Sequence, residues 1–325
     1  MDQLIPMGVA IFFISLFSQL IIQPLIIPRL KSKGIAGRDM HKKGKPIVAE
    51  MGGLGMLFGI SFSLLFVIFC HTFLNWEINI TFLMAGMITL LLIGLIGIID
   101  DLLDLPQKVK AFVPILASIP LIAIRAGTPE MYIPFIGDVD FGLIYTFILV
   151  PIGVTVASNL TNMLAGFNGN EAGMSLIMFL TLSVITYFTG SSVGFVISVS
   201  MVGLLLGFLY FNWYPARVFP GDTGTFLMGG ALAVVAILAN VESYGAILVV
   251  PHVIDFFIKI FHRFPKTFGQ LGPDGKLYPP DNIARGLGQL IMKVSNGISE
   301  KRLTITLILI ELVFAILSLT LFFLR

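Results

Sequence analysis

The chain has 325 residues, of which 57% are hydrophobic and only 12% are charged, and its mean hydropathy is +0.98. A soluble domain carries roughly 25% charged residues, so this composition excludes a soluble protein and indicates an integral membrane protein. The net charge of +2 is spread over short loops, which leaves no basic domain for nucleic acid. The single cysteine, Cys70, lies inside an apolar run and carries no information about redox compartment.

Ten apolar windows along the chain approach the length of about 20 residues that a helix needs to cross the hydrocarbon layer. They cover residues 4–27, 51–73, 80–99, 109–126, 143–159, 173–190, 192–211, 223–239, 243–261 and 303–325. We therefore predict an all-α fold, a polytopic membrane protein with ten transmembrane helices in a single domain over residues 1–325. Positive charge follows the first window and does not precede it, which predicts a retained span and not a cleaved signal peptide.

The basic residues divide the predicted loops into two classes. All but two of the 20 basic residues, Arg125 and Arg325, lie in or beside the odd-numbered loops. Because Lys and Arg accumulate on the cytoplasmic side of membrane proteins, the odd loops are predicted to be cytoplasmic and both termini non-cytoplasmic. The predicted cytoplasmic loops cover about 28–50, 100–109, 159–172, 212–222 and 262–302.

On the predicted cytoplasmic face, four segments place polar residues at helix ends. They are "GIIDDLLDLPQKVKAF" (97–112), "NLTNMLAGFNGNEAG" (159–173), "FPGDTGTF" (219–226) and "FHRFP" (261–265). Each segment alone has an ordinary structural interpretation as a cap, a turn or an interfacial basic flank. Together they offer carboxylate and amide oxygens, which suit a hard cation such as Mg²⁺, and basic groups that neutralise phosphate. Their position on one face favours a single site for phosphoryl transfer.

Two acids inside the apolar windows favour a different class of protein. Asp255 and Glu311 fall in the ninth and tenth windows, with His252 near the first of them, and acids at membrane depth are typical of ion-coupled transporters. A transporter would also have a matched pair of broken helices in its two halves, and the sequence does not predict one. Transport is therefore the less favoured alternative, and we expect both acids to pair with neighbouring helices.

In combination, the four segments resemble the polyprenyl-phosphate N-acetylhexosamine-1-phosphate transferases, most closely the eukaryotic and archaeal type that acts on UDP-GlcNAc and dolichyl phosphate. The resemblance extends from "RDMHKKGKPIVAEMGG" in the first loop to "GKL" in the ninth loop, which is nearly the whole chain. It implies ten spans and transfer of GlcNAc-1-phosphate from UDP-GlcNAc to a polyprenyl (dolichyl) phosphate with release of UMP, the first step of lipid-linked oligosaccharide synthesis. The same chemistry on another UDP-amino sugar, such as UDP-GalNAc or UDP-MurNAc-pentapeptide, is the alternative within the family.

The resemblance implies roles for five residues at the reacting phosphates. Asn162 and Asp222 would hold Mg²⁺, with Mn²⁺ as an alternative. Lys110 would meet the lipid phosphate. Asp100 and Asp101 match an aspartate pair that serves either as a base or as structural support beside the metal.

The resemblance further implies seven substrate-binding residues in the loops. These are Asp39, Met40 and Glu50, which would enclose the nucleotide, Asn168 and Phe219, which would bind the uracil, and His262 and Arg263, which would contact the amino sugar and the pyrophosphate. The chain departs from its eukaryotic relatives at Phe261, where they have a basic residue. Lys259 or Lys266 would then have to supply the phosphate contact.

The expected partners are UDP-GlcNAc, a polyprenyl or dolichyl phosphate and membrane lipids, without nucleic acid, and a homodimer is left open. The short loops and the lack of a retention signal favour the cell membrane of an archaeon over the endoplasmic reticulum membrane. The site is expected to face the cytoplasm.

Overall fold

The computed structural model describes residues 3–134, 136–265 and 267–325. In these ranges the chain is mostly helical, as predicted, with a few short strands. The helices are α1 (Leu4–Ser32), α2 (Gly53–Leu74), α3 (Ile80–Leu103), α4 (Gln107–Phe112), α5 (Pro114–Ala117), α6 (Ile119–Ala123), α7 (Val150–Met163, preceded by a π-helical turn, Tyr145–Leu149), α8 (Asn170–Phe188), α9 (Ser192–Asn212), α10 (Gly221–Ala239), α11 (Glu242–Leu248), α12 (Val250–Phe261), α13 (Leu287–Val294) and α14 (Glu300–Phe323). The strands form antiparallel pairs, β1 (Ala36–Arg38) with β2 (Ile47–Ala49), β3 (Glu130–Ile133) with β4 (Gly137–Asp140), and β5 (Gln270–Leu271) with β6 (Leu277–Tyr278).

Within the described ranges, eight helices are long and apolar enough to cross a membrane, and α11 with α12 would make a ninth if this pair, bent by 57°, is one span. The ten predicted transmembrane helices are therefore not confirmed. The fourth window is divided into α4, α5 and α6, with Pro114 and Pro120 in the first turns of the second and third pieces. Pro251 likewise lies in the first turn of α12. Proline has no backbone N–H, so a helix tends to begin at it and not to continue through it.

The divided segment packs against α3 and α7, and its two ends reach the two ends of α10. At one end Lys110 contacts Asp222 in the first turn of α10, and at the other the backbone N–H of Thr128 donates to the side chain of Asn240, the C-cap of α10. The chain thus passes from one face of the bundle to the other through two interrupted segments, α4–α6 and α11–α12. The sequence predicted no matched pair of broken helices, and among the described residues one bent pair, α11–α12, has the length and composition of a span.

Helix α10 is the core of the bundle, and 94% of its most apolar window is buried. Its small residues let α3, α7 and α9 pack closely around it. At Gly97 of α3, an added Cβ would lie 2.5 Å from the Cα of Thr223, so only glycine permits this approach. On the α7 side, the hydroxyl of Thr161 donates to the carbonyl of Thr225 at 2.8 Å. These close contacts bring the ends of α3 and α7 to the start of α10.

The first loop is attached to the start of α10 through its own backbone. Strand β2 pairs with β1, and its last residue, Ala49, also forms a parallel bridge with Val218. The N–H of Phe219 donates to the Ala49 carbonyl at 2.8 Å, and the N–H of Gly52 donates to the Phe219 carbonyl at 2.8 Å. The first loop and the "FPGD" segment therefore form one unit.

Candidate active site

The carboxylate of Asp101 caps the N-terminus of α10. Its Oδ1 accepts from the N–H of Asp222 at 2.7 Å, and its Oδ2 accepts from the N–H and the hydroxyl of Thr223 at 2.9 and 2.6 Å. A negative charge at a helix N-terminus satisfies free N–H groups and interacts favourably with the helix dipole. The preceding Gly221 has φ +67°, and a Cβ there would lie 2.8 Å from this carboxylate. The geometry suits glycine at this turn and leaves Asp101 with both oxygens occupied.

Lys110 joins the other two acids of the site. Its Nζ lies 2.6 Å from Oδ2 of Asp100 and 2.6 Å from Oδ2 of Asp222. The second oxygen of Asp100 accepts from the N–H of Leu105 at 3.1 Å, which holds the turn after α3. With Asp101, which is bonded to the N–H of Asp222, the cluster holds three carboxylates and one ammonium group. The cluster carries an excess of negative charge.

Asn162, near the end of α7, lies beside this cluster. Its side chain is close enough to interact with the Asp222 carboxylate, and both residues line the same cavity as Lys110. The cavity has a volume of about 950 Å³. Its polar end holds the groups just named, and the rest of its wall is largely apolar. The aromatic side chains of that wall are Phe112, Phe256, Phe257, Phe264 and Phe268.

The donor atoms at the polar end suit a hard divalent cation. Asn162 offers an amide oxygen and Asp222 a carboxylate, and such oxygens are the ligands that Mg²⁺ prefers in proteins. The negative charge of the three aspartates exceeds the single positive charge of Lys110. A divalent cation would balance this excess, which also favours a metal at this position. The two predicted metal ligands are therefore placed together with a donor set that fits the ion.

Glu50 lies near the cluster at the end of the first loop. Its side chain is partly exposed, yet burial of the carboxyl raises its pKa above 4.5, and the negative charges of Asp101 and Asp222 raise the pKa further. Its position brings the first loop within electrostatic range of the predicted metal site.

A second cluster is built around Asn168, which is buried in the turn between α7 and α8. Its Nδ2 donates to Oε1 of Glu300 at 2.7 Å and to Oδ2 of Asp39 at 3.1 Å. Its Oδ1 accepts from Nζ of Lys42 at 2.8 Å and from the N–H of Ala216 at 2.6 Å. The amide predicted to bind a base therefore makes four hydrogen bonds to protein groups.

His41 connects this second cluster to the ninth loop. Its ring stacks on Phe167 with centroids 5.0 Å apart, and its Nε2 accepts from the N–H of Gly269 at 3.1 Å. The ligand atoms of Asp39, His41 and Glu300 lie within 4.8 Å of one another, a spacing that would suit a metal. The ammonium of Lys42, however, already pairs with the two carboxylates. We assign this group to loop anchoring.

The remaining predicted substrate-binding residues lie outside both clusters. Met40 is largely exposed, and Phe219 is half-buried with its backbone bonded to the first loop. His262 and Arg263 are exposed at the end of α12, where Nδ1 of His262 contacts the Ile258 carbonyl at 2.8 Å. Neither lines the cavity described above.

This chain has Phe261 where its eukaryotic relatives have a basic residue, and Lys259 or Lys266 was expected to supply the missing phosphate contact. Phe261 itself is 82% exposed. Lys259 is buried in the cavity wall, with Nζ 2.7 Å from Oδ2 of Asp255 and a hydrogen bond to the Met163 carbonyl. Lys266 lies outside the described residues. Lys259 is thus the third lysine of the cavity, beside Lys108 and Lys110, and it is already paired with an acid.

The two acids that favoured transport both face neighbouring elements. Besides Lys259, Asp255 accepts from the N–H of Leu287 at 2.7 Å, which ties α12 to α13. Glu311 of α14 lies 4.0 Å from Nδ1 of His252 in α12. Both oxygens of Glu311 and Nδ1 of His252 are buried without a hydrogen-bond partner among the described residues, so the expected pairing is found for Asp255 and not for Glu311.

Sequence reasoning missed the residues that anchor the turn at Asn168. Glu300 is not among the predicted site residues, and its contacts with Asn168 cross 132 positions of sequence. His41 and Lys42 stand beside Asp39 and Met40 in the first loop, and their proximity to that predicted pair was the available signal.

The fold and the two clusters define a polytopic helical membrane protein with an acidic, amide-bearing site at one end of an apolar cavity. Comparison with known proteins identifies the family to which the chain belongs. Residues 83–240 match the profile of glycosyl transferase family 4. A Sulfolobus acidocaldarius protein, provisionally named as a UDP-N-acetylglucosamine–dolichyl-phosphate N-acetylglucosaminephosphotransferase, is 34% identical over 301 residues, which is 90% of this chain and 89% of the relative.

Two further relatives come from a eukaryote and a bacterium. The Schizosaccharomyces pombe UDP-N-acetylglucosamine–dolichyl-phosphate N-acetylglucosaminephosphotransferase is 25% identical over 308 residues, covering 81% of this chain and 68% of the relative. The Halalkalibacterium halodurans phospho-N-acetylmuramoyl-pentapeptide-transferase is 33% identical over 241 residues, covering 68% and 72%. The chain belongs to glycosyl transferase family 4, among the polyprenyl-phosphate N-acetylhexosamine-1-phosphate transferases, and the predicted family is confirmed.

Proposed function

We propose that the protein transfers N-acetylglucosamine 1-phosphate from UDP-N-acetylglucosamine to dolichyl phosphate or a related polyprenyl phosphate, releasing UMP. The observation that carries this proposal is the relationship to the Sulfolobus acidocaldarius protein over nine-tenths of the chain, together with relatives of the same name in eukaryotes. The site is consistent with it, because metal-ligating oxygens and a lysine lie at the mouth of an apolar cavity.

On the donor side, we propose that Asn162 and Asp222 hold Mg²⁺, or Mn²⁺ in its place. A cation bound there would neutralise the diphosphate oxygens of the nucleotide sugar and let two anionic substrates approach each other. The use of an amide beside the carboxylates has a physical reason. Asparagine supplies a ligand oxygen without adding negative charge that would repel phosphate.

On the acceptor side, we propose that the isoprenoid chain lies along the aromatic wall of the cavity and its phosphate at Lys110. An oxygen of the lipid phosphate attacks the β-phosphorus of the nucleotide sugar, the bond to the α-phosphate breaks, and UMP leaves. A phosphate monoester has a second pKa of about 6, so the nucleophile is largely ionised near neutral pH. Little help from a general base is required, which agrees with Asp101 serving as a cap.

A second sugar nucleotide is favoured by one specific observation. The Halalkalibacterium halodurans relative is a muramoyl-pentapeptide transferase, and its identity of 33% is close to that of the archaeal relative. Against it, the relatives named for UDP-N-acetylglucosamine cover more of this chain, 90% and 81% compared with 68%. UDP-MurNAc-pentapeptide is therefore the alternative donor.

We further propose that the site faces the cytoplasm. The support is the distribution of basic residues, because the clusters lie at the helix ends next to the lysine-rich and arginine-rich loops. UDP-sugars would then reach the site from the cytosol, and the source membrane would be the cell membrane of an archaeon.

The experiment is a direct assay of UMP release. Purified protein is incubated with a polyprenyl phosphate and a panel of UDP-sugars, with Mg²⁺ or with EDTA. We expect UMP only with Mg²⁺ or Mn²⁺, most rapidly with UDP-GlcNAc, and not from Asp222→Ala or Asn162→Ala. Glu242→Gln serves as a control, because it changes a carboxylate that pairs with Tyr145 away from the cavity. Turnover of the Asp222→Ala protein at the wild-type rate, or undiminished turnover in EDTA, would refute the proposed metal site.

A further inference from the structure

The last turn of α7 carries Asn162, and a buried lysine of α12 holds that turn in place. The Nζ of Lys259 donates a hydrogen bond to the carbonyl of Met163, the final residue of α7 and the neighbour of Asn162. The last carbonyl groups of a helix have no partner within the helix, and a positive charge near them is stabilising. At the next residue, the side-chain amide of Asn170 donates to the Leu164 carbonyl at 2.7 Å. Side chains from two other helices therefore fix the end of α7.

Asp255 holds the lysine at this carbonyl. Its Oδ2 lies 2.7 Å from Nζ of Lys259, and its Oδ1 accepts from the N–H of Leu287, the first residue of α13, at 2.7 Å. Asp255 is 1% exposed and Lys259 is 6% exposed. At Gly286, an added Cβ would lie 2.9 Å from Oδ1 of Asp255 and 3.3 Å from the side chain of Lys259. The start of α13 thus packs directly on the ion pair and encloses it.

These contacts make Lys259 a poor ligand for a phosphate, although it lines the cavity. To reach a phosphate, its ammonium group would have to leave the buried carboxylate of Asp255. Among the described residues, Lys259 is the basic group that pairs with this acid. A buried acid that loses its partner destabilises a protein strongly, because its charge is then uncompensated. The contacts therefore favour a lasting link from α12 to α7 over a phosphate contact.

The two residues assigned to the metal are thus held in the same way, each on a helix end that a charged side chain caps. Asp222 lies in the first turn of α10, where its N–H donates to the carboxylate of Asp101. Asn162 lies in the last turn of α7, where the neighbouring carbonyl accepts from Lys259. We propose that Lys259 is a positioning residue for the metal site, because it fixes the turn that presents the Asn162 amide to the cation. This inference rests on the proposed function, in which Asn162 and Asp222 hold Mg²⁺.

The test measures binding of Mn²⁺, the alternative to Mg²⁺, to the purified protein in detergent by electron paramagnetic resonance, without either substrate. Lys259→Met keeps an unbranched side chain and removes the donor and the charge. Groups that orient metal ligands contribute about 10- to 100-fold to metal affinity, so the Mn²⁺ dissociation constant should rise by about 10-fold or more. The Mn²⁺ concentration needed for half-maximal UMP release should rise in parallel. The KM for the polyprenyl phosphate should stay unchanged, because Lys259 does not bind it.

A second variant separates positioning from general support of the fold, and it replaces Lys259→Met if that protein does not fold. In Lys259→Met/Asp255→Asn both charges are gone, so no buried carboxylate is left uncompensated. The asparagine oxygen can still accept from the N–H of Leu287. Its melting temperature should therefore exceed that of Lys259→Met, while its Mn²⁺ affinity stays about 10-fold below that of the wild type, because the Met163 carbonyl still lacks its donor. Wild-type Mn²⁺ affinity in this variant would show that the pair only supports the fold, and it would overturn the proposal.

Asn162→Ala provides the reference for the metal site. If Lys259 acts through Asn162, adding Lys259→Met to Asn162→Ala should weaken Mn²⁺ binding no further. Losses that multiply in this double variant overturn the role of Lys259 and leave the proposed function standing. A higher KM for the polyprenyl phosphate with unchanged Mn²⁺ affinity does the same, since it makes Lys259 a phosphate contact. A wild-type protein that binds no Mn²⁺, or that binds it no more tightly than Asn162→Ala does, overturns both this inference and the metal site of the proposed function.

Discussion

The contacts of Asp101 lead to a prediction about which member of the aspartate pair is structural. Asp101 accepts three hydrogen bonds, from the N–H of Asp222 and from the N–H and hydroxyl of Thr223, so protein donors occupy three of its roughly four acceptor positions. In Asp101→Asn, one oxygen is replaced by an NH₂ group. The Thr223 hydroxyl can turn to accept from that group, but one N–H of the first turn of α10 loses its acceptor.

The expected loss of stability follows from these contacts. An unpaired N–H costs about 1–3 kcal/mol, and loss of the negative charge at the helix N-terminus costs about 0.3–1 kcal/mol more. We therefore expect the free energy of unfolding to fall by about 1–4 kcal/mol. Because Asp222 follows the disturbed turn, the concentration of Mg²⁺ needed for half-maximal UMP release should also rise.

The assay is thermal unfolding in detergent together with UMP release over a range of Mg²⁺ concentrations. Thr223→Val is the matched control, because it keeps the side-chain shape and removes one of the three bonds, so its loss of stability should be smaller, about 1 kcal/mol. If Asp101→Asn instead abolished turnover with unfolding unchanged, Asp101 would act on the substrate and the capping role would be wrong.

Two further predictions concern the charges around the site. Lys110→Gln leaves the carboxylates of Asp100 and Asp222 uncompensated, and breaking a buried ion pair costs about 3–5 kcal/mol. Its melting temperature should therefore fall, more in EDTA than in Mg²⁺, and equal losses in the two media would contradict a metal at Asp222. For Glu50, the raised pKa means that the folded state binds a proton more tightly than the unfolded state, so stability falls as pH rises above 4.5 through the folded-state pKa. Glu50→Gln should thus melt at a higher temperature than the wild type near neutral pH, with the advantage shrinking as pH approaches 4.5, and a constant difference across this range would refute the shift.

The sequence was sufficient to predict a helical membrane protein and to single out five polar residues that the structure brings together. Apolar length predicts helices reliably, and the polar segments at helix ends are few enough to suggest one site. Asp100, Asp101, Lys110, Asn162 and Asp222 come together because α3, α7 and α10 pack closely through small residues. Hydropathy did not predict that the fourth apolar window is divided into three short helices, because proline interrupts a helix without making it polar.

The anchoring of the turn at Asn168 could not be predicted in the same way. Asn168 carries a recognisable motif, but its partners come from the first loop, from Ala216 and from Glu300 at the start of α14. A glutamate before an apolar run normally indicates the first turn of a helix, and nothing in the sequence indicates which distant side chain it meets. Contacts that depend on tertiary packing leave no local pattern.

The two interrupted segments described above have a consequence for how a long-tailed substrate would enter. Residues of α4 and α12 line the cavity, so both irregular crossings border it. A straight helix presents a continuous surface to the neighbouring lipids, whereas a broken helix interrupts that surface. A polyisoprenoid would then enter the cavity laterally between the broken helices, with its tail still in the bilayer. The sugar nucleotide would arrive from water. The lipid substrate would not have to leave the membrane, and the nucleotide would not have to enter it.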